Sequence, residues 1–285
     1  GWLSFEPSIY RALAWNPATS IVGGLMFGYG MALAGNCGYG ALARLGGGDL
    51  RSFMIVLVMG VAAYMTLGGP LAALRVWLFP VDPAADPAMS GIAADLAGLT
   101  GASPLIVAIV IAVAFLLWAA SDADLRRSPG AIFTGLAVAV AIASGWVGTS
   151  WVAEASFDDV RATSHTFTAP VGESIFFLMT SSAGGLSFGV GSVAGVLLGA
   201  LVGSFWKGHF RWEACDDPRE LGRQIFGASL MGVGGVVALG CSIGQGMTAF
   251  AALAWSAPVT LAAIFLGAML GLRQLIHGLP SFRRS

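Results

Sequence analysis

The chain is 285 residues long, 56% hydrophobic and only 10% charged, with 41 glycines and a mean hydropathy of +0.81. Soluble domains carry about a quarter charged residues, so the composition excludes one and marks an integral membrane protein. A net charge of −1 and the lack of a basic tract exclude nucleic-acid binding.

The opening stretch "WLSFEPSIYRALAWNP" has neither the basic flank nor the long apolar core of a signal peptide. A helix needs about 20 mostly apolar residues to cross the hydrocarbon layer. The windows 18–35, 52–79, 103–120, 130–151, 186–206, 222–240 and 258–276 meet that need. None alternates apolar and polar positions as a barrel strand does. The expected fold class is an all-α multi-helix membrane bundle, one transmembrane domain over 1–285 with halves at about 18–120 and 130–276. Cys37, Cys215 and Cys241 are too few for a disulfide framework, and His165, His209 and His277 are scattered as loop or helix-end residues. No metal or cofactor is expected.

Loop charge orients the spans. The stretches 121–130 and 207–224 and the tail with Arg273, Arg283 and Arg284 hold most basic residues. The stretches 80–102 (Asp82, Asp86, Asp95) and 152–173 (Glu154, Asp158, Asp159, Glu173) are acidic. Lys and Arg favour short cytoplasmic loops, which places the first set and the C-terminus in the cytoplasm. The helix over 18–35 then runs inward to Cys37, and the helix over 222–240 runs outward to Cys241.

Those two cysteines stand in matching segments, "LMFGYGMALAGNCGYG" (Leu25 to Gly40) and "LMGVGGVVALGCSIGQG" (Leu230 to Gly246), aligned with a one-residue slip before the cysteine. Similar segments in opposite orientation form an inverted repeat, from which transporters build midplane sites with broken helices. Irregular backbone at membrane depth is tolerated where protein or a watery cavity satisfies it, so each glycine-rich break is expected to line a passage. The short segment after each cysteine, starting at Tyr39 or Ser242, offers a helix N-terminus that attracts an anion, with Ser242 as its N-cap. A neutral thiol faces an anion without repelling it and without the cost of a buried ion. Contacts of that strength suit conduction. The competing reading is that each Cys is a small buried hydrophobe.

At these residues the sequence resembles the YeeE/YedE family of bacterial inner-membrane sulfur-transport proteins, which includes thiosulfate transporters. The resemblance is carried by "AGNCGYGALARLGGGDLRS", "ALGCSIGQGMTAF", "RWEACDDPRELGRQIFGASLMG" and "GESIFFLMTSSAGGLSFGVGSVAGVLLGA". It implies an hourglass of pseudo-symmetric helical halves whose narrow centre passes thiosulfate along by S–H to sulfur contacts, with Cys37 and Cys241 as the two loop cysteines. Members also carry a cysteine on an earlier N-terminal helix, and that segment is expected to be absent from these residues. Cys215, among Glu213, Asp216 and Asp217, is read as incidental. The family setting also suggests a cytoplasmic sulfur carrier docking on the 207–224 loop.

The expected pathway residues are therefore Cys37, Cys241, Asn36, Gly38, Ser242 and Gln245. Asn36 and Gln245 either donate amide hydrogen bonds to an oxyanion or satisfy the broken backbone. Arg44 and Arg51 bracket "LGGGD" and form either a basic vestibule or an anchor with Asp49. Ser181, Ser182 and Ser187 in "SSAGGLSFG" are further pathway candidates. Gly191, Gly195, Gly199 and Gly203 form a small-residue stripe expected to pack a helix closely. The substrate is expected to be thiosulfate or a related sulfur anion, taken up across the bacterial inner membrane without enzymatic chemistry. The alternatives are a membrane sulfurtransferase or relay partner, which needs a thiolate activated by a nearby cation, and a small-solute channel, which needs no cysteine.

Overall fold

The computed structural model describes residues 10, 15–80, 91–155, 161–180, 185–213 and 217–278. Its helices, in chain order, are α1 (Pro17–Ala34), α2 (Gly38–Gly46), α3 (Leu50–Leu67), α4 (Pro70–Leu78), α5 (Ile92–Thr100), α6 (Pro104–Ser121) and α7 (Ala123–Arg127). There follow α8 (Pro129–Ala155), α9 (Thr168–Thr180), α10 (Phe188–Trp206), α11 (Pro218–Val237), a π-helical turn (Gly244–Ala249) and α12 (Ser256–His277). Six stretches are long and apolar enough to cross a membrane: Pro17–Gly46, α3, α6, α8, α10 and α12. The chain is thus a multi-pass helical membrane protein.

Two of the seven expected spans differ. The window 52–79 is two helices, because Gly68 and Gly69 interrupt the helix and Pro70, which has no N–H to donate backwards, starts a new one at α4. The window 222–240 is α11, which is less apolar than the other six. It carries Arg219, Glu220, Arg223 and Gln224 in its first turns, and glycines at 222, 227, 232, 234 and 235. α11 is long enough to span, but it buries its surface against α1 and α3 rather than lipid.

Local chemistry sets the helix ends. Asn16 Oδ1 accepts from Ala18 N at 2.9 Å ahead of Pro17, and Asp49 accepts from Arg51 N at 3.0 Å to start α3. Asp217 caps α11 in the same way, ahead of Pro218. Each cap is worth about 1 kcal/mol.

The residues fall into two compact units. One comprises the chain up to Trp15, 82–165 and 247–257. There α5 packs on α6, and Trp255 Nε1 donates to Asp95 Oδ2 at 2.6 Å. In the same unit Ser164 Oγ donates to the Ile142 carbonyl of α8 at 2.8 Å.

The other unit comprises 16–81, 166–246 and 258–285, and buries Phe27, Leu42, Met59, Val171, Met231, Cys241 and Ile264 in a shared core. Its centre is an antiparallel crossing of α1 and α11 at backbone contact. A methyl group on Gly23 would lie 2.8 Å from the Gly234 carbonyl oxygen and 2.5 Å from Ala238 N. One on Gly227 would lie 2.6 Å from both the Gly30 carbonyl oxygen and Ala34 N. Gly30 and Gly234 repeat the pattern, against Gly227 O and Met231 N and against Gly23 O and Phe27 N. One step in numbering carries Gly23 to Gly227, Gly30 to Gly234 and Cys37 to Cys241, and it turns each contact of one helix into a contact of the other. Only glycine permits such approach. The contacts follow the alignment without the expected slip before the cysteine.

Candidate functional site

α1 ends at Gly35, whose φ of +76 reverses the chain. Asn36 follows, then Cys37 in extended conformation as the N-cap of α2. Cys37 Sγ accepts from Gly40 N at 3.3 Å, and its carbonyl accepts from Ala41 N at 2.8 Å. The second break has the same construction. Leu239 takes the place of Gly35 with φ +57, Cys241 Sγ accepts from Gly244 N at 3.4 Å, and its carbonyl accepts from Gln245 N at 2.8 Å. Both thiols therefore sit on the amide ends of short helical segments, where unpaired N–H groups and the dipole favour negative charge.

The cap after the second break is Cys241, and Ser242 is the first residue inside it, half-buried. A glycine at position 35 avoids the left-handed penalty of about 1–2 kcal/mol that any other residue meets. Since nothing lies within 4 Å of an added methyl there, Gly35→Ala is expected to lose about 1 kcal/mol through backbone strain alone, read as a lower thermal midpoint.

After the cysteines the two copies part by one residue. The Gly48 N–H reaches the Leu45 carbonyl at 3.0 Å, and the Leu253 N–H reaches the Phe250 carbonyl at 2.9 Å. Gly48 and Leu253 both have positive φ, +100 and +51. The numbering step from Gly48 to Leu253 is one longer than that from Cys37 to Cys241. The extra residue is accommodated by the π-helical turn, so the slip lies after the cysteine and not before it.

The environments of the thiols differ. Cys37 is half-buried and Cys241 is 1% exposed. Thr166 Oγ1 lies 3.7 Å from Cys241 Sγ, while no side chain among the described residues bonds to Cys37 Sγ. The adjoining Phe167, buried, has its ring 5.1 Å from that of Tyr39, two residues beyond Cys37. The stretch 166–167 therefore touches both breaks. Nothing in sequence spacing relates it to either, because Thr166 and Cys241 are 75 residues apart. A pair of hydroxyl residues in "HTFT", just before an apolar helix, is the one trace it leaves.

For Asn36 and Gln245 the structure realises the backbone-satisfying bonds. Asn36 Oδ1 accepts from Cys37 N at 2.9 Å, and Gln245 Nε2 donates to the Ala238 carbonyl at 2.8 Å. Gln245 is fully buried, and its Oε1 has no hydrogen-bond partner among the described residues. Gly38 is buried against Met59, whose Sδ would lie 2.8 Å from an added methyl. Arg44 is exposed in the last turn of α2. Asp49 pairs with Arg51 at 3.4 Å, and Arg51 also reaches Glu213 at 3.4 Å, across a short parallel bridge between 49 and 213. Partly exposed pairs of this kind anchor the chain weakly, at about 0–1 kcal/mol.

Ser187 caps α10 by accepting from Val190 N at 3.2 Å and donates to Glu173 Oε2 at 3.2 Å, so it serves the helix start. Ser181, Ser182 and Cys215 lie outside the described residues. The stripe Gly191, Gly195, Gly199, Gly203 faces open space, with nothing among the described residues within 4 Å of an added methyl. The expected close packing is not made there.

Comparison with known proteins bears on what this arrangement does. Residues 1–270 match a family model described as sulphur transport. A thiosulfate transporter, TsuA, of Spirochaeta thermophila is 30% identical over 258 residues, 88% of this chain and 74% of the relative. TsuA of Escherichia coli (strain K12) is 24% identical over 284 residues, 94% of this chain and 76% of the relative.

Proposed function

We propose, because the chain belongs to the sulphur transport family, that it takes up thiosulfate or a closely related sulfur anion through a pathway formed at the two cysteine-capped breaks. The relatives are named transporters, and no step of this reading needs enzymatic chemistry.

The observation that carries the pathway is the reciprocity of the glycine contacts. Antiparallel helices whose contacts exchange under one numbering step are related by a two-fold axis perpendicular to both. For helices that cross a membrane, such an axis lies in its plane, so α1–α2–α3 and α11–π-turn–α12 form an inverted repeat. The reciprocity extends to the outer helices. Gly28 of α1 abuts the Ile264 carbonyl and Ala268 N of α12, while Gly232 of α11 abuts the Met59 carbonyl and Ala63 N of α3. An inverted repeat points the amide ends of α2 and of the π-turn segment toward each other from opposite sides. An anion passing between them meets the N–H groups and thiol of one break and then those of the other, each S–H donating in turn to its terminal sulfur. Cys241, being buried, is closed to solvent in this conformation, and passage requires its side chain or the 166–167 stretch to move.

The reading places the protein in the bacterial inner membrane with a cytoplasmic C-terminus, and assigns the 207–224 loop to a cytoplasmic sulfur carrier. Uptake of labelled thiosulfate into proteoliposomes tests the core of it. Uptake that resists excess sulfate and falls with Cys241→Ser is expected. Uptake equally blocked by sulfate, or indifferent to the cysteine, would overturn the pathway.

A further inference from the structure

We propose that Thr166 is a specificity-determining residue of this pathway: its hydroxyl holds the oxygen end of a sulfur oxyanion while the Cys241 thiol takes its sulfur end. The inference rests on the transport reading above. Its basis is the 3.7 Å approach of Thr166 Oγ1 to Cys241 Sγ, which sets a hard oxygen donor beside a soft sulfur donor. The sulfur also accepts the Gly244 N–H at 3.4 Å, and either Sγ or Oγ1 can donate across the 3.7 Å contact. A hydroxyl has one proton to give and two lone pairs, so Thr166 can donate to an anion's oxygen once the thiol turns to its sulfur. An anion with sulfur at one end and oxygens at the other satisfies both donors at once, whereas sulfate, with oxygens alone, leaves the soft donor poorly matched.

The hydroxyl is held in place on each side. Phe167 is buried against Tyr39, and Thr168 is 1% exposed against Gly235. On the other side the His165 carbonyl accepts from Thr248 Oγ1 at 2.6 Å. Thr166 itself is half-buried, so it can meet solute when the buried Cys241 cannot. With the Thr166 backbone fixed by its neighbours, the motion that admits the anion falls to the buried Cys241 side chain.

Hydrogen bonds to charged groups contribute enough that losing one weakens binding tenfold or more. The test compares wild type, Thr166→Val and Thr166→Ser in proteoliposomes at equal amounts of monodisperse protein, measuring thiosulfate uptake against concentration. Valine keeps the shape and removes the hydroxyl, and is expected to raise the half-saturating concentration at least tenfold with the maximal rate within twofold. Serine restores the hydroxyl and is expected to stay within twofold on both. Should the valine variant not yield folded protein, Thr166→Ala is measured in its place with the same expectation. A hydroxyl that serves structure alone would lower the maximal rate and leave half-saturation unmoved, which overturns the proposal, as would a variant lacking the hydroxyl that matches wild type. Absence of uptake by wild type itself would overturn the transport reading and this inference with it.

Discussion

Gly28→Val and Gly232→Val are expected to destabilise the protein by about 3 kcal/mol or more each. At Gly28 a methyl group collides with the backbone of Ile264 and Ala268. At Gly232 it lies 2.5 Å from the Met59 carbonyl oxygen, 2.7 Å from Ala62 Cβ and 2.9 Å from Ala63 N. Backbone of a packed helix cannot swing aside as a flexible side chain can, so α12 or α3 must separate from its partner as a whole. Gly195→Val on α10 is the control, since an added methyl there meets nothing within 4 Å, and it is expected to change stability by less than about 0.5 kcal/mol. Thermal unfolding of the three variants in detergent reads the result. Large losses at both Gly28 and Gly232 follow from the backbone contact made at each. A loss at one of them alone would break the two-fold relation.

The second large effect concerns the thiols, and it separates their two roles. Each cysteine caps a helical segment, so alanine removes cap and thiol together, whereas serine replaces one cap by a better one. Cys37→Ser and Cys241→Ser are therefore expected to unfold at or above the wild-type temperature, while their initial rates of thiosulfate uptake fall at least tenfold. Cys241→Ala is expected to be the least stable of the single cysteine variants, by about 1–2 kcal/mol, because it removes a helix cap and trims a buried side chain. In the proposed pathway the two thiols act in series, and a barrier added to an already limiting one slows the whole by no more than about twofold. The double serine variant should thus transport nearly as well as the slower single. A multiplicative loss would mean that the thiols bind the anion together and not in turn.

The composition and its apolar runs were enough for the helical membrane class, and the paired Gly-Cys segments were enough for the two breaks. Hydropathy averages do not register a two-residue interruption, which is how Gly68 and Gly69 escaped a window read as one span over 52–79. They also reward lipid exposure, so α11, glycine-rich because it packs backbone to backbone, reads as a lipid-facing span when it is the most enclosed helix of its unit. The register of the repeat was displaced for a different reason. The Leu-Met pairs that open both segments drew the slip ahead of the cysteines, whereas the glycines that touch fix it behind them. Thr166 and Phe167 were invisible because their partnership with the breaks is made only in three dimensions.

The π-helical turn has a consequence for direction of flow. One added residue in a regular helix would rotate everything after it by about 100°. Here the widened turn absorbs that rotation, and α12 presents Ile264 to Gly28 as α3 presents Met59 to Gly232. The helix contacts are balanced, but the two breaks are not. One half carries the extra residue, a fully buried Gln245 and a sequestered thiol, where the other carries Ala41 and a half-exposed thiol. A conduit with identical halves passes equal currents under equal and opposite gradients. The pathway proposed above, unequal at its two breaks, would be free to rectify.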